Sequence, residues 1–335
     1  MLRSEGVAIP MQQNLSDIRL LAGSGDYEAM PELKPYRPFD DTVLFLFEEL
    51  SALLIRHPEA RRYPDIATFA FFCRKANTNA LKRSYGKGLS CSVGRGVTFH
   101  LAPSNVPINF AYSLAAGLLS GNACIVRTSS KQFPQTDIVS SAIATILEGT
   151  RFEVLRRYIS IVKYGHSAEI NEYFSRLCDI RIIWGGDDTI AEIRKAPLPA
   201  RSFDITFADR YSLSIIRAAD YLNIADKKRI ALDFYNDTYL FDQNACSSPR
   251  LLYWVGRVPI IATAQAVFWD SVPELLVEKG YRIEAMTAVD KYTASFRSAL
   301  DYDDVAIAAL SDNLISRIAL QTLQTDVPEH LCARG

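Results

Sequence analysis

Between Asp40 and His57, Val43, Leu44, Leu46, Phe47, Leu50, Leu53 and Leu54 recur at steps of three and four. That spacing predicts an amphipathic helix, with Asp40 and Asp41 suited to its N-terminus. Ile66 to Leu81 reads as a second helix with Phe69, Phe71 and Phe72 on its apolar side. Residues 1–40 are polar, carry prolines and show little periodicity, so a mobile or draped arm is expected there. Beyond residue 94 the pattern changes to short apolar runs. Val97–Leu101 reads as a strand that ends in Ala102-Pro103-Ser104-Asn105-Val106-Pro107. A helix of small residues, Phe110 to Ser120, follows and is closed by Gly121-Asn122, and Ala123–Arg127 reads as the next strand. Further strands are predicted at Tyr158–Val162 and Ile180–Trp184, with shorter ones at Asp204–Phe207 and Leu213–Ile216. Helices are predicted near Gln135–Glu148, Ser167–Leu177 and Thr189–Lys195.

Strands alternating with helices predict an α/β domain with a mostly parallel sheet. Ligands of such sheets bind beyond the carboxyl ends of the strands. Three loops fall at those ends, carrying Ser104-Asn105, Arg127-Thr128-Ser129 and Gly185-Gly186. No GxGxxG follows any strand, so a dinucleotide site needs other support. A charged, mostly helical stretch, Ala218–Asp233, then separates this domain from the segment Asp242-Gln243-Asn244-Ala245-Cys246-Ser247-Ser248-Pro249. The segment is expected to bend between two apolar strands, the second being Arg250–Val255. The expected domains are an N-terminal arm with helices (1–85), a sheet domain (86–220) and a cysteine domain (221–335). The last of these mixes apolar strands and helices, among them Ala262–Phe268 and Ala306–Ile318.

The chain has 335 residues and a formal net charge of −1, so no bulk basic field is present to hold nucleic acid or an anionic membrane. Met1–Pro10 lacks the apolar core of a signal peptide. Phe110–Val126, taken as the longest apolar stretch, is interrupted by Ser113, Gly117, Ser120, Gly121 and Asn122, and no membrane span is expected. Six cysteines (73, 91, 124, 178, 246, 332) form no CxxC pair, which points to reduced thiols and a cytoplasmic location. The four histidines (57, 100, 166, 330) have no metal-ligand spacing, and no metal is expected.

The remaining chemistry centres on Cys246. A cysteine at a bend among small and polar residues can present its sulfur to a ligand while backbone N–H groups point the same way. Taken alone, the octapeptide fits a buried structural cysteine better, since free Cys is among the most buried residue types. An amide side chain, Asn105, with the cysteine's own N–H would form an oxyanion hole. The competing reading of Asn105 is a turn residue ahead of Val106-Pro107. His100, at a strand end, reads as structural, and neither it nor His166 is assigned a role.

Four stretches, in order, carry a resemblance: Gly96–Pro107 followed by Gly117 and Ser120-Gly121-Asn122-Ala123; Ile183–Thr189; Phe207–Ser212; and Asp242–Pro249. Together, over about residues 40–255, they resemble the aldehyde dehydrogenase superfamily, and within it the LuxC-type acyl-CoA (fatty acid) reductase family. The resemblance implies a Rossmann-like parallel-sheet cofactor domain with a smaller α/β catalytic domain. It makes Cys246 the acylated nucleophile, Asn105 the oxyanion donor and Gln243 a supporting residue of the nucleophile loop. Arg127, where the superfamily usually has lysine, falls on the contact to the adenosine ribose. Ser129 and Ser104 belong to the cofactor-facing loops. Gly185 and Gly186 fall on the turn that meets the pyrophosphate, which accounts for the missing GxGxxG.

Where hydrolytic aldehyde dehydrogenases have a water-activating glutamate, this chain has Asp204-Ile205-Thr206. That departure favours reduction of an acyl thioester to an aldehyde, with NADPH as reductant and NADH as the alternative. The substrate is expected to be a long-chain acyl-CoA or a carrier-bound acyl group. An acyl-protein synthetase and a second copy of the chain are the implied partners. LuxC-like chains run on beyond Cys332-Ala333-Arg334-Gly335, so this one is expected to be shortened at its C-terminus. Two other readings stay open: a non-catalytic subunit that partners an acyl-activating enzyme, and a non-acylating aldehyde dehydrogenase.

Overall fold

The carboxylate of Asp40 accepts a hydrogen bond from the Thr42 amide at 2.8 Å. Helix α1 (Asp41–Arg56) starts from this cap and buries Val43, Leu46, Phe47, Leu50 and Leu54 along one stripe. The computed structural model describes residues 15–89, 91–208, 210, 212–240, 242–243, 245–283, 285–301, 305–307 and 314–320. The single helix expected over Ile66–Leu81 is two, α2 (Pro64–Phe72) and α3 (Lys75–Tyr85). Arg74 is extended between them, and the Asn77 carboxamide donates to the Phe72 carbonyl at 2.7 Å, closing the first helix end.

The chain divides into two compact units, Met1–Asp209 and Arg210–Gly335. In the first, the expected arm contains a strand. Residues 1–14 lie outside the described part, but β1 (Arg19–Gly23) pairs antiparallel with residues of a strand far along the chain, Ser160–Lys163. Gly23 makes this approach possible. It has φ +96°, and a Cβ there would lie 1.8 Å from the Ile159 carbonyl oxygen.

The rest of the first unit alternates strands with helices, two of them between β3 and β4: β2 (Val97–Leu101), α4 (Asn109–Leu119), β3 (Ala123–Arg127), α5 (Pro134–Leu147), α6 (Glu153–Arg156), β4 (Ile159–Lys163), α7 (Ala168–Leu177), β5 (Ile180–Trp184), α8 (Asp187–Arg194) and β6 (Phe203–Phe207). The sheet order is β1-β4-β3-β2-β5-β6, parallel from β4 to β6. Both faces of β2 are covered: His100 meets Ser113 of α4, and Phe99 meets Phe174 of α7. Continuous burial on both sides is why these strands read as unbroken apolar runs.

In the second unit β7 (Ser212–Arg217), α9 (Ala218–Asn223), α10 (Lys227–Thr238), β8 (Pro249–Val255), α11 (Val258–Glu278), α12 (Ala285–Asp301), β9 (Val305–Ile307) and β10 (Ile318–Leu320) follow. β7 and β8 pair in parallel, and β9 and β10 antiparallel. Tyr221, Phe234, Phe268, Val272, Leu275 and Leu276 form the core.

The division differs from the expected domains in two ways. The leading helices pack on the first unit's sheet layer through α4 and α5, so 1–85 is not separate. The break also precedes β7 rather than following residue 220, because β7 bonds to β8 while β6 bonds to β5. The run read as Ala262–Phe268 is part of α11, whose length and apolarity alone would suffice to cross a membrane. In this structure it turns Ala264, Phe268, Val272, Leu275 and Leu276 into the core of its unit.

Candidate active site

The loops carrying Ser104-Asn105, Arg127–Ser129 and Gly185-Gly186 follow β2, β3 and β5, three neighbouring strands of the sheet. From β2 the chain adds β3 and then β4 on one side and returns to add β5 on the other. The crevice between the carboxyl ends of β2 and β5 is therefore the topological switch point, the usual ligand position in such sheets. Ser104 is exposed there and Asn105 half-buried. The turn after them is held by the Asn109 amide donating to the Val106 carbonyl at 3.1 Å, which starts α4.

At the end of β3, Arg127 is fastened rather than free to swing. Its Nη2 donates to the Gly165 carbonyl at 3.2 Å and the Tyr164 carbonyl at 3.4 Å, and its guanidinium carbon stands 4.9 Å from the Tyr164 ring centroid. Its Nε is buried without a hydrogen-bond partner, a donor held ready for an acceptor that the protein does not supply. Ser129 Oγ accepts from the Lys131 amide at 3.1 Å, which leaves its proton to donate. Thr128 turns inward, its amide and hydroxyl both bonded to the Val162 carbonyl at 2.9 and 3.3 Å. Thr128 is thereby committed to the sheet.

At the end of β5, the Gly185 amide donates to the Phe207 carbonyl at 3.2 Å, tying the turn to β6. A Cβ on Gly185 would crowd the Thr189 side chain at 3.0 Å, whereas one on Gly186 would meet nothing within 4 Å. Gly186 caps α8, so its backbone is open beside a helix N-terminus, which suits an anion. The first turn of α8, however, carries Asp187 and Asp188, both exposed. The ribose-side donors and the open turn fit a nicotinamide dinucleotide, with two carboxylates opposing its pyrophosphate.

Asp204, which stands where the superfamily's glutamate would, and the two histidines differ in their surroundings. Asp204 accepts from Arg181 Nε at 2.7 Å and Nη2 at 3.2 Å, and from Arg194 Nε at 3.3 Å. Arg181 is 1 % exposed, so Asp204 is the counter-ion of a buried cation and not an available base. His100 is fully buried, and burial pushes its pKa down to about 3. Its Nδ1 meets Ser113 Oγ at 2.7 Å and its Nε2 meets Thr98 Oγ1 at 2.8 Å. His166 is exposed.

Cys246 lies in the second unit. The apolar run before it is not a strand. Tyr239 and Leu240 overhang the end of α10, both amides donating to the Tyr235 carbonyl, at 2.8 and 3.1 Å. Two consecutive residues with left-handed backbones then turn the chain, Asp242 (φ +49°) and Gln243 (φ +54°). Such conformations are costly for residues with a Cβ and gather at functional turns. The Gln243 amide donates to the Thr238 carbonyl at 2.8 Å, and Ser212 Oγ donates to the Cys246 carbonyl at 2.8 Å, fixing the loop to α10 and β7.

Cys246 is exposed. Cys73, Cys124 and Cys178 are buried, and burial raises all three thiols, Cys124 and Cys178 to about 12. Among the described cysteines only Cys246 and Cys91 are exposed, and Cys332 lies outside the described residues. The bland reading of Cys246 as a buried core thiol is therefore overturned. Among the described residues no His/Cys/Asp/Glu cluster has the make-up of a metal site.

Sequence reasoning missed two groups. Behind the cysteine loop the Tyr281 hydroxyl bonds to the Asp242 carboxylate, and Lys291 is buried, its pKa lowered by that burial and partly restored by Asp242. In the first unit Trp184 donates from Nε1 to Ser113 Oγ at 3.2 Å, extending the contacts of His100 to the edge of the glycine turn. Neither leaves a local signal, since the partners are far apart in the chain.

Solved structures share this fold. Aldehyde dehydrogenase 21 from Physcomitrella patens, in complex with succinate, aligns with a TM-score of 0.57 at 11 % identity over 87 % of this chain and 66 % of that one. NADP-dependent glyceraldehyde-3-phosphate dehydrogenase from Bacillus halodurans, complexed with NADP, aligns with a TM-score of 0.54 at 15 % identity over 88 % and 67 %. In sequence, long-chain acyl-protein thioester reductase 2 of Photobacterium leiognathi is 31 % identical over 165 residues, which is 48 % of this chain and 32 % of that relative. The corresponding reductase of Aliivibrio fischeri is 29 % identical over the same shares. The chain thus matches about a third of the length of these relatives. The family described as acyl-CoA reductase (LuxC) matches residues 78–263, from α3 through both candidate site regions into α11. The fold is that of the aldehyde dehydrogenases, and the chain belongs to the LuxC-type acyl-CoA reductase family.

Proposed function

We propose that the chain reduces an acyl thioester to an aldehyde, passing the acyl group through Cys246, with NADPH as the reductant. The observation that carries this reading is the exposed Cys246 thiol on a turn held by two left-handed residues, while the three cysteines of the sheet and helix cores are buried. The relatives' names, acyl-protein thioester reductases, suggest a long acyl chain delivered on a protein or on CoA.

In the proposed mechanism the Cys246 thiolate forms a bond to the thioester carbonyl carbon, and the carbonyl electrons move to oxygen. The Cys246 N–H, in the same unit as the sulfur, is the proposed donor to that oxyanion, and Asn105 keeps the donor role that the family resemblance implies. Collapse breaks the donor's carbon–sulfur bond and releases its thiolate, leaving the acyl group on Cys246. Gln243 shapes the turn that presents the sulfur. The chemistry expected of a bound nicotinamide dinucleotide is hydride donation. Its adenosine ribose would be held by Arg127 Nε and Ser129 Oγ, and its pyrophosphate by the backbone at Gly185-Gly186, with Ser104 at the mouth of the same crevice. Because Asp204 is occupied by Arg181, no carboxylate at β6 is offered to activate water, which preserves the acyl group for reduction.

The test is intact-protein mass spectrometry after brief incubation with a long-chain acyl-CoA, before and after NADPH. One added acyl mass, absent in Cys246→Ser and removed by NADPH, is expected. Label that persists in Cys246→Ser would refute the nucleophile assignment. The second reading kept from the sequence is a non-catalytic subunit that partners an acyl-protein synthetase. No adduct on folded protein would decide for it.

A further inference from the structure

A line of buried polar groups runs from the edge of the glycine turn to the first residue of β3. Trp184 Nε1 meets Ser113 Oγ at 3.2 Å, Ser113 Oγ meets His100 Nδ1 at 2.7 Å, His100 Nε2 meets Thr98 Oγ1 at 2.8 Å, and Thr98 Oγ1 meets the Ala123 carbonyl at 3.1 Å. Thr98, His100 and Ser113 are all buried. The two ends fix the direction of every bond between them. An indole nitrogen can only donate, and a carbonyl can only accept. Ser113 must therefore accept from Trp184 and give its single proton to His100 Nδ1. His100 must then carry its proton on Nε2 and donate to Thr98, whose own proton is shared between the Ala123 carbonyl and Cys124 Sγ, the latter at 3.3 Å. Each hydroxyl is used once as donor and at least once as acceptor, so the line is complete. A complete buried polar line specifies one arrangement, whereas apolar side chains of the same size would tolerate several.

What it specifies is the position of residue 184. The Trp184 ring is stacked on Phe207, with centroids 3.9 Å apart and planes inclined by 11°. The next residue, Gly185, donates its amide to the carbonyl of that same Phe207 at 3.2 Å. One edge of the indole, one face and the following amide are thus all held. Ser113 stands on α4, the helix that the Ser104-Asn105 loop leads into, so the line also joins the two loops that flank the switch point. Gly117 makes room for it: a Cβ there would lie 2.5 Å from Cys124 Sγ and 2.9 Å from His100 Nε2.

We propose that Trp184, Ser113 and His100 are positioning residues that hold the Gly185-Gly186 turn where a dinucleotide's pyrophosphate meets it; this rests on the cofactor reading given above. The line adds to the Gly185–Phe207 hydrogen bond at a turn whose Gly186 is open on its Cβ side and whose following helix begins with two carboxylates. The line supplies the rigidity that the glycines lack.

The test compares Trp184→Phe, His100→Leu and His100→Gln with the wild type, each first shown to be folded by circular dichroism. Trp184→Phe keeps the stacking and deletes only the donor. His100→Gln keeps one acceptor and one donor without charge. NADPH titration followed by its own fluorescence is expected to show the Kd raised about fivefold in Trp184→Phe and more in His100→Leu. Affinity within about twofold of wild type is expected in His100→Gln. Acylation of Cys246 by acyl-CoA should keep its wild-type rate in all three, a split that general loosening would not produce. Equal NADPH affinity across the series overturns the proposal. Wild-type protein that binds no NADPH sinks the cofactor reading instead, and the anchoring is then decided by amide exchange. Faster exchange at Gly185 in Trp184→Phe, with β3 amides unchanged, supports the anchor, and unchanged exchange at Gly185 overturns it.

Discussion

Lowering the pH from 7 to 5 is expected to cost the first unit about 2 kcal/mol of stability through His100 alone. The imidazole is buried, neutral and hydrogen-bonded at both nitrogens, and its pKa falls from 6.5 to about 3. The unfolded chain takes up the proton near pH 6.5 and the folded chain only near pH 3. Between those values the unfolded state binds more protons, so stability falls as pH falls. At pH 7 the unfolded state gains roughly 0.2 kcal/mol from protonation, and at pH 5 about 2 kcal/mol, 1.5 pKa units at ~1.36 kcal/mol each. The assay is urea unfolding at both pH values, followed by Trp184 fluorescence with Trp254 and Trp269 replaced by phenylalanine so that only the first unit reports. Other groups titrate over the same range, so the quantity read is the difference from His100→Gln, which has nothing to protonate there. Wild type should lose about 2 kcal/mol more than the variant. Parallel losses in the two proteins would refute the assignment of His100 as a neutral, fully committed core group.

Asp204→Ala leaves the buried Arg181 guanidinium without its carboxylate and should destabilise the first unit by about 3–5 kcal/mol in urea unfolding; a loss under 1 kcal/mol would return Asp204 to the pool of candidate bases. Asp187→Asn removes an exposed charge from the first turn of α8 and is expected to tighten NADPH about threefold at low salt, less at 0.5 M, in a fluorescence titration. Unchanged affinity would place the pyrophosphate elsewhere. Tyr281→Phe removes the Tyr281–Asp242 hydrogen bond behind the cysteine loop, and the rate of Cys246 acylation, followed by mass spectrometry, should fall several-fold while the protein stays folded. A wild-type rate would show that the loop holds its shape without that bond.

The parallel strands were legible because burial on both faces leaves an unbroken apolar run, and each prediction from β2 to β5 lands within a residue or two of its strand. The failures have one origin, a partner distant in the chain. β1 has only Leu20, Leu21 and Ala22 to announce it, and it becomes a strand because β4 offers a free edge. β6 and β7 have the same alternating pattern, and nothing local says that one joins β5 and the other β8. Tyr239-Leu240-Phe241 has the composition of a strand, but the amides of Tyr239 and Leu240 are taken by the last turn of α10, and Tyr239 fills the second unit's core.

For the site, residue types, order and the family resemblance pointed to Cys246, Asn105 and the three strand-end loops as candidates, because those features are written in single segments. What holds them was not legible. The resemblance puts Arg127 at the adenosine ribose but does not say what holds it: two carbonyls and the Tyr164 ring fix it and leave Nε as a buried, unmet donor. His100 reads in sequence as structural and is so, but the hydroxyls of Thr98 and Ser113, which explain why an imidazole can be buried there, come from its own strand and from a helix. The same residue that the chemistry of a cleft would have recruited is made inert by two hydroxyl groups, and that inertness lets it serve as a fixed link between α4 and the glycine turn. A base must exchange its proton to work; a positioning group must keep it, and a histidine that stays neutral down to about pH 3 keeps it throughout the range in which a thiolate can act.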